Sequence, residues 1–114
     1  MQIHVNTDHH IAGHEPLTAH VRSVVLQALS HFQDHITRVD VHLSDENGDK
    51  RGRDDKRCVM EAHLEGHQPL AVTHHATTAG DAADGAAKEL ARLLEHTIGR
   101  LQDTRRGRTD PPPA

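Results

Sequence analysis

The stretch ITRVDVHLS, residues 36–44, alternates apolar and polar side chains. The apolar side chains at every second position are Val39, Val41 and Leu43. The polar side chains between them are Arg38, Asp40 and His42. A strand with this pattern buries one face and leaves the other polar, which predicts a sheet with a single apolar face.

Three more segments have the same period. Residues 2–6 (QIHVN), 58–65 and 70–77 also alternate, and the last places Leu70, Val72 and His74 on one face. Between the last two segments, EGHQP at residues 65–69 predicts a turn at Gly66. The chain therefore contains four predicted strands.

Two segments have helical spacing. The first begins near Pro16, fades near residues 30–32, and has an apolar face of Leu17, Val21, Val24, Val25, Ala28 and Phe32. The second begins at Thr78-x-x-Asp81, a capping sequence, and ends near Thr104. Its apolar stripe comprises Ala83, Ala87, Leu90, Leu94, Ile98 and Leu101.

The order of these elements predicts an α+β fold, β-α-β-β-β-α, with a four-stranded sheet and both helices packed on one face. We expect the first two strands to be parallel with a right-handed crossover, and strands two to four to form an antiparallel meander. This arrangement resembles a double-stranded-RNA-binding domain. The open sheet face is predicted to carry His4, Arg38, Asp40, His42, Arg57, Glu61, His63, Thr73 and His75.

Length and composition indicate one domain and no export. The 114 residues predict a domain at 1–104 and a disordered basic, proline-rich tail at 105–114. A single cysteine, no secretory signal and no apolar run of membrane-spanning length favour the cytoplasm. The formal charge is −4, and protonation of all 13 histidines would change it to +9. The charge of this chain therefore depends strongly on pH.

The stretch DENGDKRGRDDKRC, residues 45–58, connects the second and third strands. Asn47-Gly48 is a turn signal, and mixed charge without apolar side chains indicates a solvated connection in the free protein. Its basic residues could contact phosphate in a complex. A calcium loop is rejected because the glycine is misplaced and basic residues follow.

Neither catalysis nor a bound metal is expected from the residue pattern. His4, His42, His63 and His75 share the open face, but no known metal-ligand spacing joins them. Cys58 lies on the inward face of its strand, and we expect it to be a buried structural residue. We expect no enzyme activity, no cofactor and no specific metal site.

Several motifs together resemble the family of hibernation-promoting factor and ribosome-associated inhibitor A. They are DHITRV at 34–39, Asn47-Gly48 followed by DKRC at 55–58, and A-x-D-x-A-x-x-x-L at 82–90. The resemblance covers about residues 1–101 and is to the short form of the family. It implies a cytoplasmic stress factor that binds the small ribosomal subunit, blocks the path of messenger and transfer RNA, and so inhibits translation.

The resemblance implies RNA-binding cations on the helices and the hairpin connection. The candidates are Arg22, Lys50, Arg51, Arg53, Lys56, Arg57, Lys88, Arg92 and Arg100. The i+4 spacing of Lys88, Arg92, His96 and Arg100 predicts a row on the second helix, although ordinary solvated pairs with Glu89 and Glu95 explain it too. We expect ribosomal RNA of the small subunit as the partner, and neither DNA nor a membrane. Two alternatives stay open: a protein-binding adaptor of the same fold without RNA binding, and a histidine-rich metal-binding protein.

Overall fold

The computed structural model describes residues 1–8, 11, 14–46 and 56–107, with only the backbone described for residues 14 and 102–107. The strands and helices are β1 (Gln2–Thr7), α1 (His14–Leu29), β2 (Ile36–Asp45), β3 (Lys56–Leu64), β4 (Leu70–Ala76) and α2 (Ala79–Gly107). A 3₁₀ segment, Ser30–His35, joins α1 to β2. The predicted order of elements is confirmed.

The four strands form one sheet in the order β1-β2-β3-β4. β1 pairs with β2 in parallel, with Ile3 beside Val39, and the other two pairs are antiparallel. The predicted α+β fold and the predicted strand directions are therefore confirmed. The handedness of the crossover stays a prediction.

The two sheet faces differ as the alternation predicts. On the face beneath the helices, Val39, Val41 and Leu43 are almost completely buried, as are Cys58 and Met60 of the neighbouring strand. The opposite face carries the predicted polar side chains, in register rows such as His4-Asp40-Glu61 and Ser44-Arg57-His75.

Helix α1 is rotated slightly from the predicted orientation. Val21, Val25 and Leu29 are fully buried, whereas the predicted Val24 and Ala28 are only half-buried. The difference arises because Val24 and Ala28 line a groove against α2, so the buried stripe centres on the side chains over the sheet. The helical spacing in the sequence does not show where α2 lies, so it cannot show which side chains of α1 face α2 instead of the sheet.

Helix α2 begins as predicted and ends three residues later than predicted. The Thr78 hydroxyl accepts a hydrogen bond of 3.0 Å from the Asp81 backbone N–H, which caps the first turn. Along the stripe, Ala83, Ala87, Leu90, Leu94 and Ile98 are buried. The prediction was wrong for Leu101, which is 38% exposed because the helix has passed the end of the core there.

The predicted turn at Gly66 is confirmed, since its φ of 72° lies in the left-handed region that glycine favours. The connection between β2 and β3, at 47–55, lies outside the described residues. Residues 108–114 lie outside them as well, and the division into a domain at 1–104 and a tail stays a prediction. Within the described part of the chain, no helix is both long and apolar enough to cross a membrane.

Candidate nucleic-acid interface

The solvent side of α2 carries the predicted row of cations. Lys88, Arg92 and Arg100 are exposed, and His96 between the last two is exposed too. Each i+4 step along a helix advances about 6 Å, so the row from Lys88 to Arg100 extends roughly 18 Å. Leu90 and Leu94 on the opposite side are fully buried, which fixes the row toward solvent.

Two carboxylates on α2 that lie close to this row in sequence, Asp84 and Glu89, are engaged by histidines of other elements, whereas Glu95, three residues after Arg92, is exposed beside the row. Asp84, one turn before Lys88, lies 2.8 Å from His20 Nε2 on α1. Glu89, three residues before Arg92, lies 2.9 Å from His74 Nδ1 on β4. Among the described residues, Lys88, Arg92 and Arg100 form no ion pair.

A groove runs between α1 and α2 beside the row. The half-buried side chains of Val24 and Ala28 and the buried Ala87 form its floor, and Lys88 and His20 stand at its rim. The groove continues along Phe32 and Ala91 toward Arg92. Lys88 and Arg92 therefore border a concave surface that the two helices build together, whereas Arg100 lies farther along α2 beside His96 and Gly99.

Arg22 is not part of this surface. Its guanidinium donates a hydrogen bond of 2.9 Å to the backbone carbonyl oxygen of Ile3 on β1. This places Arg22 on the flank of α1 toward β1, beside Glu15 and Thr18, whereas the groove lies on the flank toward α2. The structure thus separates one predicted site residue from the α2 row.

The predicted cations of the hairpin lie in a third place. Lys56 Nζ lies 3.4 Å from Asp45 Oδ2 at the end of the sheet. Arg57 is exposed on the open face, opposite Ser44 of β2 and His75 of β4. Lys50, Arg51 and Arg53 lie outside the described residues, so their part in the interface stays a prediction.

On the open face, the structure brings together a mixed cluster rather than a set of histidines. His63 Nε2 lies 2.8 Å from Glu61 Oε1 and 3.1 Å from Asp40 Oδ2. Arg38 donates a hydrogen bond of 3.1 Å to Asp40 from its Nε. His75 instead lies 2.6 Å from Glu46 at the far end of the sheet.

Cys58 is buried as predicted. Burial disfavours the charged thiolate and raises the pKa of the Cys58 thiol to about 12. The thiol is therefore protonated at neutral pH and takes no part in a nucleophilic site.

Residues 4–102 match the model of the family described as "Sigma 54 modulation protein / S30EA ribosomal protein". The chain belongs to this family. Membership confirms the resemblance seen in the sequence motifs and indicates a protein associated with the ribosome.

Two solved structures have a similar fold. The N-terminal domain of Protein Y from Thermus thermophilus has a TM-score of 0.66 and 20% identity, covering 85% of this chain and 99% of that one. A ribosomal subunit interface protein from Coxiella burnetii has a TM-score of 0.63 and 13% identity, covering 87% and 99%. A search of curated protein sequences gives no match.

Sequence reasoning identified the α2 row but missed the histidines of other elements that contact two carboxylates near it, Asp84 and Glu89. The predicted partners of these cations were Glu89 and Glu95 on the same helix, and a contact from another element was not considered. The contact of His74 with Glu89 could have been anticipated, since His74 was assigned to the face beneath the helices. The contact of His20 with Asp84 required the packing of α1 against α2.

Proposed function

We propose that this protein binds ribosomal RNA of the small subunit through the α2 row and blocks the path of messenger and transfer RNA. The exposed row of Lys88, Arg92 and Arg100, which forms no ion pair with any side chain that the structure describes, carries the proposal. Family membership supplies the ribosome as the partner. The proposal makes the protein a cytoplasmic inhibitor of translation in stress, and it includes no catalytic step.

The histidine contacts support a cationic surface on α2 although the formal charge of the chain is −4. A carboxylate one turn away on the same helix would otherwise compete with phosphate for each cation. His20 and His74 engage two such carboxylates, Asp84 and Glu89. Local pairing at Asp84 and Glu89 therefore favours an RNA backbone near Lys88, whereas Glu95 stays exposed beside Arg92.

The two helices and the groove between them form a concave surface suited to RNA shape. Proteins recognise folded RNA mainly through phosphate and 2′-hydroxyl contacts and through shape. The row supplies phosphate contacts, and the groove beside Val24 and Ala28 makes the surface concave. Inhibition then follows from occupancy of the channel by the body of the domain.

Co-sedimentation with small ribosomal subunits at graded salt tests the binding to RNA. Removing one cation that touches a phosphate should reduce the slope of log affinity against log salt by about 0.7 to 0.9. We expect Arg92→Gln to reduce the slope by this amount and to weaken inhibition in a cell-free translation assay.

Arg38→Gln is the matched control because it removes the same charge from the open sheet face, where Arg38 is bonded to Asp40. It should leave the slope unchanged. Equal effects of the two substitutions would contradict a localised interface. Absence of co-sedimentation at low salt, with translation unaffected, would favour the protein-binding adaptor instead.

The salt slope of Arg22→Gln tests whether the interface extends across α1. Arg22 lies on the flank toward β1, bonded to the Ile3 carbonyl. A slope reduced as much as in Arg92→Gln would place ribosomal RNA across both flanks of α1. An unchanged slope would confine the interface to the α2 side.

A further inference from the structure

Four polar side chains converge on the open face of the sheet. Asp40 of β2 lies directly opposite Glu61 of β3, and Arg38 lies opposite His63. Because side chains two residues apart share a strand face, all four project to the same side. They lie on the surface opposite the helices, so the proposed RNA interface does not use them.

One nitrogen is the centre of this cluster. His63 Nε2 lies 2.8 Å from Glu61 Oε1, 3.1 Å from Asp40 Oδ2 and 3.3 Å from Arg38 Nη2. A single ring nitrogen can donate one hydrogen or accept one, so it cannot satisfy two carboxylates and a guanidinium together. The arrangement is better suited to a cation that accepts the nitrogen lone pair and both carboxylates.

The distances allow such a cation with small movements. One ligand atom from each of Asp40, Glu61 and His63 lies within 4.8 Å of the others. Tetrahedral zinc, with bonds of about 2.0 to 2.1 Å, needs its ligand atoms roughly 3.4 Å apart. Side-chain rotation alone can therefore open the two shorter distances to the required spacing.

A fourth ligand is available on the neighbouring strand. His4 of β1 lies opposite Asp40 in the parallel register. Its ring is exposed, and its Nε2 lies 3.3 Å from Gln2 Oε1, a contact that solvent can replace. Its ring nitrogens are not among the ligand atoms that lie within 4.8 Å of one another, so the ring must rotate across the strand spacing of about 4.8 Å to join the cluster.

We propose that His4, Asp40, Glu61 and His63 form a binding site for a divalent transition-metal ion, with Zn²⁺ as the preferred occupant. Two imidazoles and two carboxylates are typical zinc ligands, whereas magnesium and calcium favour oxygen alone. The two carboxylates also balance the charge of the ion. The site would join β1, β2 and β3 across the open face.

Arg38 is the internal competitor of the metal. Its guanidinium is bonded to Asp40 at 3.1 Å and approaches His63 at 3.3 Å, so it neutralises the same groups that the ion needs. Binding requires this guanidinium to turn away toward solvent. Removing it should therefore raise the affinity for zinc, an effect in the direction opposite to the removal of a ligand.

Calorimetry of the metal-free full chain with zinc chloride tests the site. We expect one tight site per chain, a decrease of at least about tenfold in affinity for His63→Ala and Asp40→Asn, and an increase for Arg38→Gln. Circular dichroism confirms that each variant is folded, and Asp40→Asn preserves side-chain volume should His63→Ala unfold.

His42→Ala is the matched control, since His42 is exposed on the same face and pairs in register with Val59, outside the cluster. It should leave the tight site intact. The proposal is overturned if His42→Ala and His63→Ala weaken binding equally, because zinc would then bind the histidine-rich surface without selection. It is also overturned if Arg38→Gln lowers the affinity or no tight site is found.

Discussion

Met60 and Val59 are neighbours on β3, yet they experience different surroundings. Met60 is fully buried beneath the helices, whereas Val59 is half-buried on the open face, between His42 and Thr73. The interior layer consists almost entirely of aliphatic side chains. The surface is instead marked by contacts between histidines and carboxylates, as at His63 and His75. Stability should therefore depend on volume in the interior, and binding should depend on local charge at the surface.

The largest expected effect tests the interior half of this comparison. Met60→Ala removes a fully buried side chain and should lower the free energy of unfolding by about 2 to 5 kcal/mol. Val59→Ala removes a side chain that solvent already reaches, and the expected decrease is about 1 kcal/mol or less. Urea denaturation measures both values.

Neither substitution removes a backbone hydrogen bond of β3. A difference between the two decreases in stability therefore reports side-chain burial and not strand pairing. Comparable decreases at Met60 and Val59 would show that the open face is covered in solution. That result would remove the distinction between the two faces.

Cys58 gives the interior a measurable dependence on pH. Burial raises the pKa of the thiol from 9.0 to about 12, so the native thiol stays neutral while the unfolded thiol ionises above pH 9.0. Ionisation of the unfolded state alone favours unfolding, so stability decreases as pH rises through this range. Between about pH 8 and about pH 10 the decrease should be about 1 kcal/mol.

Cys58→Ala isolates this contribution from other alkaline effects. The stability difference between the parent protein and Cys58→Ala should shift by the same amount over that pH range. A constant difference would mean that solvent reaches the thiol in the native state. Rapid labelling of the folded protein by a thiol reagent near pH 8 would lead to the same conclusion.

The interior was predictable from the sequence because alternation and helical spacing report which side chains are buried. The pattern at Val39, Val41 and Leu43 identified β2 and its inward face, and the Thr78 cap identified the start of α2. The rotation of α1 was not predictable, because Val24 faces α2 rather than the sheet. How two helices pack depends on where each lies in the fold, and neither the strand alternation nor the helical spacing of the sequence gives that position.

The sequence predicted which residues lie on the surface, but it did not predict which of them contact one another. The row Lys88, Arg92 and Arg100 follows from i+4 spacing alone. The cluster of Asp40, Glu61 and His63 depends on strand register, which the sequence does not fix when the connection between β2 and β3 is long. Those three residues were assigned to the correct face, but only histidines were considered as metal ligands there.

Two glycines of α2 distinguish a surface position from one where the helix meets the sheet. At Gly99 nothing lies within 4 Å of an added Cβ, so Gly99→Ala should stabilise the helix by about 1 kcal/mol. At Gly85 an added Cβ would overlap the His74 ring. Gly85→Ala must displace His74 from Glu89, and we expect it to give no increase in stability or a net decrease of about 1 kcal/mol.

The double substitution Gly85→Ala with His74→Ala checks the cause. Without the imidazole ring, the alanine at position 85 should recover the full helical stabilisation relative to His74→Ala alone. If Gly85→Ala is as stabilising as Gly99→Ala in the parent protein, the ring does not pack against α2 as described.

The smallest expected change in stability carries the most information about the surface. His20→Ala breaks the contact with Asp84, in which the two side chains are 46% and 42% exposed. Exposed pairs contribute about 0 to 1 kcal/mol, so unfolding should hardly change. Asp84 is then able to pair with Lys88 one turn later, which withdraws one cation from phosphate. Under the proposed function, the slope of log affinity for the ribosome against log salt should fall by up to about 0.9.

His31→Ala is the control, because His31 is exposed beside the same groove and packs edge-on against Phe32 instead of a carboxylate. Adding Asp84→Asn to His20→Ala removes the competing charge and should restore the original slope. If His20→Ala and His31→Ala bind with the same slope as the parent protein, the histidine contact does not protect the α2 row. Net charge would then have to account for binding, and a formal charge of −4 makes that account difficult.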